Sequence, residues 1–96
     1  MPEVHFEVRW PDGVQRTYYS PSTAIRLHLA AGESYELSDF VQRARTALQA
    51  ASERVRAKYG YTCSSALDTL YQIEASASGF GATEQRPVLI VAMDDP

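Results

Sequence analysis

The sequence predicts an α+β fold: a three-stranded sheet, built from an N-terminal β-hairpin and a C-terminal strand, covered on one face by a helical hairpin, in the order β-β-(α)-α-α-β. Three observations predict it. Residues 4–10 alternate between apolar and polar before a Pro-Asp-Gly turn. Residues 39–77 carry two stretches in which apolar residues recur every three or four positions. Residues 88–93 form a short, unbroken apolar run. A period of two reads as a half-buried strand, a period near 3.6 as an amphipathic helix, and a short apolar run as a buried strand. The 96 residues suit one domain, 1–96, because a chain of this size buries roughly 60–65% of its unfolded surface, enough for a single core.

In the first strand Val4, Phe6, Val8 and Trp10 point one way and His5, Glu7 and Arg9 the other. Pro11-Asp12-Gly13 then supplies turn chemistry: Pro pre-sets φ, and Gly accepts a positive φ. A three-residue loop closed by a G1 bulge follows. That loop length pairs Trp10 with Val14, Val8 with Arg16, and Phe6 with Tyr18 on one face. On the other it pairs Arg9 with Gln15, Glu7 with Thr17, and His5 with Tyr19. A two-residue loop would set Arg9 opposite Arg16, and like charges directly opposed are unfavourable. Arg16 is still a misfit on the apolar face, and its stem is expected to cover Val8 while the head reaches past the sheet edge.

Ser20-Pro21-Ser22 ends the second strand, and Ser20 is a candidate cap for a short helix with Pro21 at its first position. Ile25, Leu27 and Leu29 alternate, so an extended segment over 21–29 stays open beside the helix. A long helix is expected from about Asp39 to Tyr59, with Ser38 as N-cap and Asp39 at the positive end of the dipole. Asp39 and Arg43 form an i,i+4 pair, and Gly60 suits a C-cap. A second helix is expected from about Cys63 to Ala77, close enough to the first to form an αα-hairpin. Residues 78–87 read as a loop, with Phe80 anchoring it to the core.

The final run, Val88 to Met93, reads as a strand buried on both faces and lying beside the first. Helices on one side of a small sheet leave its other side to water, so a strand that is apolar on both sides needs a second cover. That cover is either Ile25, Leu27 and Leu29 or another chain. A homodimer, or a partner protein docked through Val88–Met93, is therefore expected.

Composition narrows the function classes. Nine Lys and Arg against twelve Asp and Glu give a net charge of −3, which argues against a nucleic-acid partner. No apolar run approaches the ~20 residues of a membrane span. The N-terminus lacks the basic and apolar regions of a secretory signal, so the cytoplasm is the expected location. One Cys and two His, at positions 63, 5 and 28, match no standard zinc spacing. No metal and no cofactor is expected. The basic residues Arg43, Arg45, Arg54, Arg56 and Lys58 do not share one helical side, so a solvated face explains them better than an anion site.

Trp10-Pro11-Asp12-Gly13, Tyr19-Ser20-Pro21-Ser22, and Arg54-Val55-Arg56-Ala57-Lys58-Tyr59-Gly60 with Cys63-Ser64 resemble a family of small bacterial proteins. These are named for a nitrogen-starvation response in mycobacteria and are encoded in clusters with a nitrilase. The likeness runs from about Val4 to Glu74. It implies an accessory role in nitrogen or nitrile metabolism and carries over no catalytic residue.

Two readings of function follow. The preferred one is a non-catalytic accessory or protein-interaction module, because no nucleophile, base and orienting group fall together. The rival is a small enzyme or ligand-binding protein that uses Cys63 in a Tyr-lined pocket. Cys63 sits near a helix N-terminus, which favours a thiolate, but it also begins the apolar stripe, where Cys packs as a small hydrophobe. The binding candidates are Trp10, Tyr59, Tyr61 and Arg54, because Trp and Tyr are enriched at interfaces.

Overall fold

The hairpin forms in the predicted register. In the computed structural model, which describes residues 3–60, 64–81 and 83–94, strand β1 (Val4–Arg9) pairs antiparallel with β2 (Gln15–Ser20). Phe6 lies opposite Tyr18, Val8 opposite Arg16, and Arg9 opposite Gln15. The turn supplies the reason. Gly13 has φ +89° and donates its N–H to the Trp10 carbonyl at 2.8 Å. Trp10 N–H donates to the Val14 carbonyl at 2.8 Å, and Val14 N–H to Asp12 Oδ1 at 3.1 Å. In the amide orientation that satisfies both groups, the Gln15 oxygen accepts from Arg9 Nη2 at 2.6 Å, where the rejected register would have set two arginines together.

The 21–29 segment resolves as a 3-10 helix, Thr23–Leu27. Its cap is Ser22 rather than Ser20: Ser22 Oγ accepts the Ala24 N–H at 3.0 Å, while Ser20 Oγ donates to the Ser22 carbonyl at 2.8 Å. Strand β3 (Ser34–Tyr35) follows, then helix α1 (Leu37–Tyr59). The helix begins two residues before the expected Asp39, with Glu36 and not Ser38 at the N-cap position and no side-chain cap bond. Leu37 packs against the core, and that burial draws the first turn back past Ser38. At the other end Gly60 takes the left-handed conformation, φ +75°, and donates to the Arg56 carbonyl at 2.8 Å.

Helix α2 (Ser65–Ala77) packs antiparallel to α1 within the helical hairpin, joined across the surface by Arg45 Nη2 and Glu74 Oε2 at 2.8 Å. Strand β4 (Val88–Met93) completes an antiparallel sheet of order β2-β1-β4-β3. The sheet thus has four strands rather than three. The final strand does lie beside the first, and the additional two-residue strand flanks it at the far edge.

Phe6, Val8, Val88 and Ile90 from the sheet meet Phe40, Ala44, Leu48, Leu70 and Ile73 from the helices in one core. Ile25 and Leu29 join that same core, whereas Leu27 is 73% exposed. The 3-10 segment therefore packs against α1 and leaves the opposite sheet face alone. On that face β4 departs from the expected double burial: Val88 and Ile90 are buried, Leu89 and Val91 are half-buried, and Ala92 is exposed. A β-bulge lies here, with Val8 opposite Ile90 but Glu7 opposite Ala92. The extra residue, Val91, puts two consecutive side chains toward the outer face and returns Met93 to the core side.

One aromatic cluster joins every layer. The Trp10 ring, 3% exposed, meets Phe40 of α1 edge-on at 5.5 Å and Tyr18 of β2 edge-on at 6.5 Å. It stacks on Phe80 of the 78–87 loop at 6.0 Å and 15°. Trp10 Nε1 donates to Tyr18 Oη at 3.0 Å. Phe80 is thus the loop anchor that the sequence suggests. The end of that loop is clasped by Arg86, whose Nε and Nη2 each donate to a Glu84 carboxylate oxygen at 2.9 Å.

Two outcomes test these features. Truncating Trp10 to Ala removes the side chain that three elements share and leaves Tyr18 Oη without its donor. The expected loss is about 3–5 kcal/mol in urea denaturation. The Arg86 clasp, chiefly its side-chain hydrogen bonds, lowers the Glu84 carboxyl to about 2 from an ordinary value of 4.5. Any stabilisation it gives is present above the ordinary value and is lost as pH falls toward 2. In Arg86→Gln, a carboxyl-detected NMR titration should find the Glu84 midpoint moved back up toward the ordinary range.

Candidate functional site

Among the described residues, Trp10 lies far from the others singled out in the sequence. Trp10 is buried in the aromatic cluster beside Phe40, near the start of α1. Tyr59 ends that helix, nineteen residues on, which at 1.5 Å per residue is roughly 28 Å along the axis. Tyr59 is 47% exposed, with the Lys58 ammonium 5.6 Å from its ring centre. Arg54 is exposed on the same distal half of α1 and makes no ion pair among the described residues. Tyr61 and Cys63, the residue on which the enzyme reading rests, lie outside the described residues.

The other titratable candidates are accounted for locally. His5 lies on the outer face of β1, its Nδ1 3.0 Å from Asp94 Oδ2 and its ring 5.6 Å from that of Tyr19. Arg43 donates to Asp39 Oδ2 at 2.9 Å and to the His28 carbonyl at 3.0 Å, and its guanidinium lies 5.1 Å from the centre of the Tyr35 ring. It therefore ties α1 to the 3-10 segment and to β3. Arg45 and Arg56 pair with Glu74 and Glu53. Among the described residues no three His, Cys, Asp or Glu side chains are placed to hold a metal ion. None of the described helices is long and apolar enough to cross a membrane.

Two surfaces do gather chemistry. The first is the outer sheet face. Its centre is Leu89, Val91 and Ala92 of β4, bordered by Glu7 and Arg9 of β1 and then by Thr17 and Tyr19 of β2. The helices and the 3-10 segment all pack on the other side.

The second surface is a pair of adjoining clefts at the hairpin end of β2, where it meets the last turns of α2. One, of about 200 Å³, is lined by Trp10, Asp12, Arg16, Ser76 and Phe80 among others. The next, of about 300 Å³, is lined by Arg16, Tyr18, Tyr71, Gln72 and Ser76 among others. Arg16 and Ser76 belong to both. Arg16 and Tyr18 are two residues apart on one strand and so share a face. Arg16 is exposed and makes no hydrogen bond or ion pair among the described residues, whereas Tyr18 is 4% exposed. Further along, Thr69 Oγ1 donates to the Tyr19 carbonyl at 2.7 Å and closes α2 onto the edge of the sheet. Arg16 was visible in the sequence only as a charge in an apolar position. Its neighbours Tyr71 and Ser76 carry no signal of their own, because they reach it through the packing of α2 on β2.

Comparison with known proteins adds one positive finding. A search of curated proteins finds no significant match, and a search of solved structures finds none. The family model described as "Nitrogen starvation-induced protein NitG" matches residues 5–93. That span takes in the hairpin, both helices and the final strand. The chain belongs to the NitG family of nitrogen starvation-induced proteins.

Proposed function

We propose that the protein acts without catalysis, as an accessory interaction module of the nitrogen-starvation response, and that it associates with a second copy of itself through the outer face of the sheet. The observation that carries this reading is the strip of Leu89, Val91 and Ala92, which no described element of the chain covers. Burying a Val or Leu side chain fully contributes about 1.5–3 kcal/mol relative to leaving it exposed; Leu89 and Val91 are half-buried already, so each gains part of that from a second cover.

The charges beside it favour a second copy as that cover. Glu7 lies opposite Ala92 and Arg9 opposite Leu89, one acid and one base on the same edge of the strip. A two-fold contact brings a patch against itself. Two-fold packing of this face sets Glu7 of one subunit toward Arg9 of the other while the apolar residues meet between them. In this reading the dimer serves nitrogen or nitrile metabolism, with the enzymes of a nitrilase gene cluster as its setting.

Sedimentation velocity at high micromolar concentration should give a dimer, and a monomer throughout the concentration range would remove the proposal. Leu89→Glu places a charge at the centre of the contact. Within the monomer the new carboxylate faces Arg9, so the circular dichroism spectrum should be unchanged. Loss of a central contact residue of this kind raises the dimer dissociation constant at least about 30-fold. A folded Leu89→Glu protein with unaltered dimerisation would place the contact elsewhere.

A further inference from the structure

We infer that the paired clefts between β2 and α2 form a binding site for a small organic monocarboxylate with an apolar or aromatic body, held by Arg16 and Tyr18. The site is independent of the outer sheet face, since Arg16 and Tyr18 point to the helix side of the sheet.

Three observations support the assignment. The first is a cation without a partner. The Arg43, Arg45, Arg56 and Arg86 guanidiniums all contact carboxylates; Arg54 and Arg16 contact none among the described residues, and of these two it is Arg16 that occupies a core-facing position. Its planar fork matches a carboxylate bidentately.

The second is an unspent donor. Tyr18 is 4% exposed, and its oxygen accepts the Trp10 Nε1–H at 3.0 Å. A phenol both accepts and donates, yet no described residue accepts the Tyr18 proton. Buried donors in folded proteins find acceptors, and an anion bound at Arg16 would supply one. The third observation is the wall. Trp10 and Phe80 line one cleft and Tyr18 and Tyr71 the other, with Tyr71 75% exposed. Apolar and aromatic walls with a few convergent polar groups are the usual make-up of a small-molecule site.

The charge count selects the class of anion. One guanidinium and one phenol match a single negative charge. Asp12 lines the same cleft as Arg16, and its carboxylate disfavours a dianion such as phosphate. The body of the ligand lies against the aromatic walls, which neutral or charged groups alone would leave uncovered.

Benzoate is a suitable probe of the native chain. Titration of the ¹⁵N-labelled protein should give saturable shifts at the Trp10 indole N–H and at the amides of Arg16, Tyr18 and Ser76. Benzamide, the neutral counterpart, should give none. Arg16→Gln removes an exposed side chain, so its circular dichroism and Trp10 emission should match the parent, while benzoate binding weakens about ten- to hundredfold, the range for loss of a charged hydrogen-bond partner. Displacement of benzoate by equimolar inorganic phosphate would overturn the monocarboxylate assignment. Absence of saturable shifts with benzoate, equal binding of benzamide, or unchanged affinity in Arg16→Gln would overturn the site.

Discussion

The contact on which the rest of the molecule depends is the one made by the Trp10 ring. Trp10 directly follows the first strand, and it lies where the hairpin, the start of α1 and the 78–87 loop come together. Stacked aromatic pairs contribute roughly 0.5–1.5 kcal/mol beyond the area they bury. The geometric effect is larger than that number suggests. Phe40 sets where α1 crosses the sheet, and Phe80 sets where the chain leaves α2 before it returns as β4. The hydrogen bond to Tyr18 holds the ring in one orientation. A turn that Pro11, Asp12 and Gly13 suit thereby positions a side chain that the other elements must fit.

Much of this was legible in the sequence because the strongest signals are local. The hairpin register follows from loop length and from one forbidden charge pair, both of which act within twenty residues. The two helices follow from periodicity, and the Gly60 terminus from the chemistry of a left-handed cap. The details that differ share a cause. The start of α1 moves from Ser38 to Glu36 because Leu37 has somewhere to bury itself, and capping preference yields to that packing. The cap of the 3-10 segment moves from Ser20 to Ser22 because Ser20 is already engaged with the Ser22 backbone. Strand β3 has two residues and no pattern of its own; it exists because the edge of β4 is there to pair with.

The surfaces were harder to read. Trp10, Tyr59 and Arg54 drew attention for their residue types, but type does not report distance, and α1 holds Trp10 far from the other two. Arg16 was conspicuous for the opposite reason: its type was wrong for its position. A mismatch of that sort, a charge on the inward face of an alternating strand, is a better pointer to a cleft than a collection of favoured residues. The expected second cover for β4 rested on its unbroken apolar composition. The 3-10 segment does not supply that cover, because Ile25 and Leu29 are drawn to the core on the helix side.

The bulge at Val91 has a further consequence for how the chain tolerates change. Before it, side chains alternate from Val88; after it, the parity is reversed, so that Met93 rather than Ala92 reaches the interior. Loss of Val91 itself would restore strict alternation with Leu89 and Ala92 still outward and Met93 still inward beside Phe6, at the cost of one residue of the oily strip. The strand can therefore lose its one extra residue without exchanging its two sides, whereas a one-residue loss elsewhere in it would have to be absorbed at the bulge.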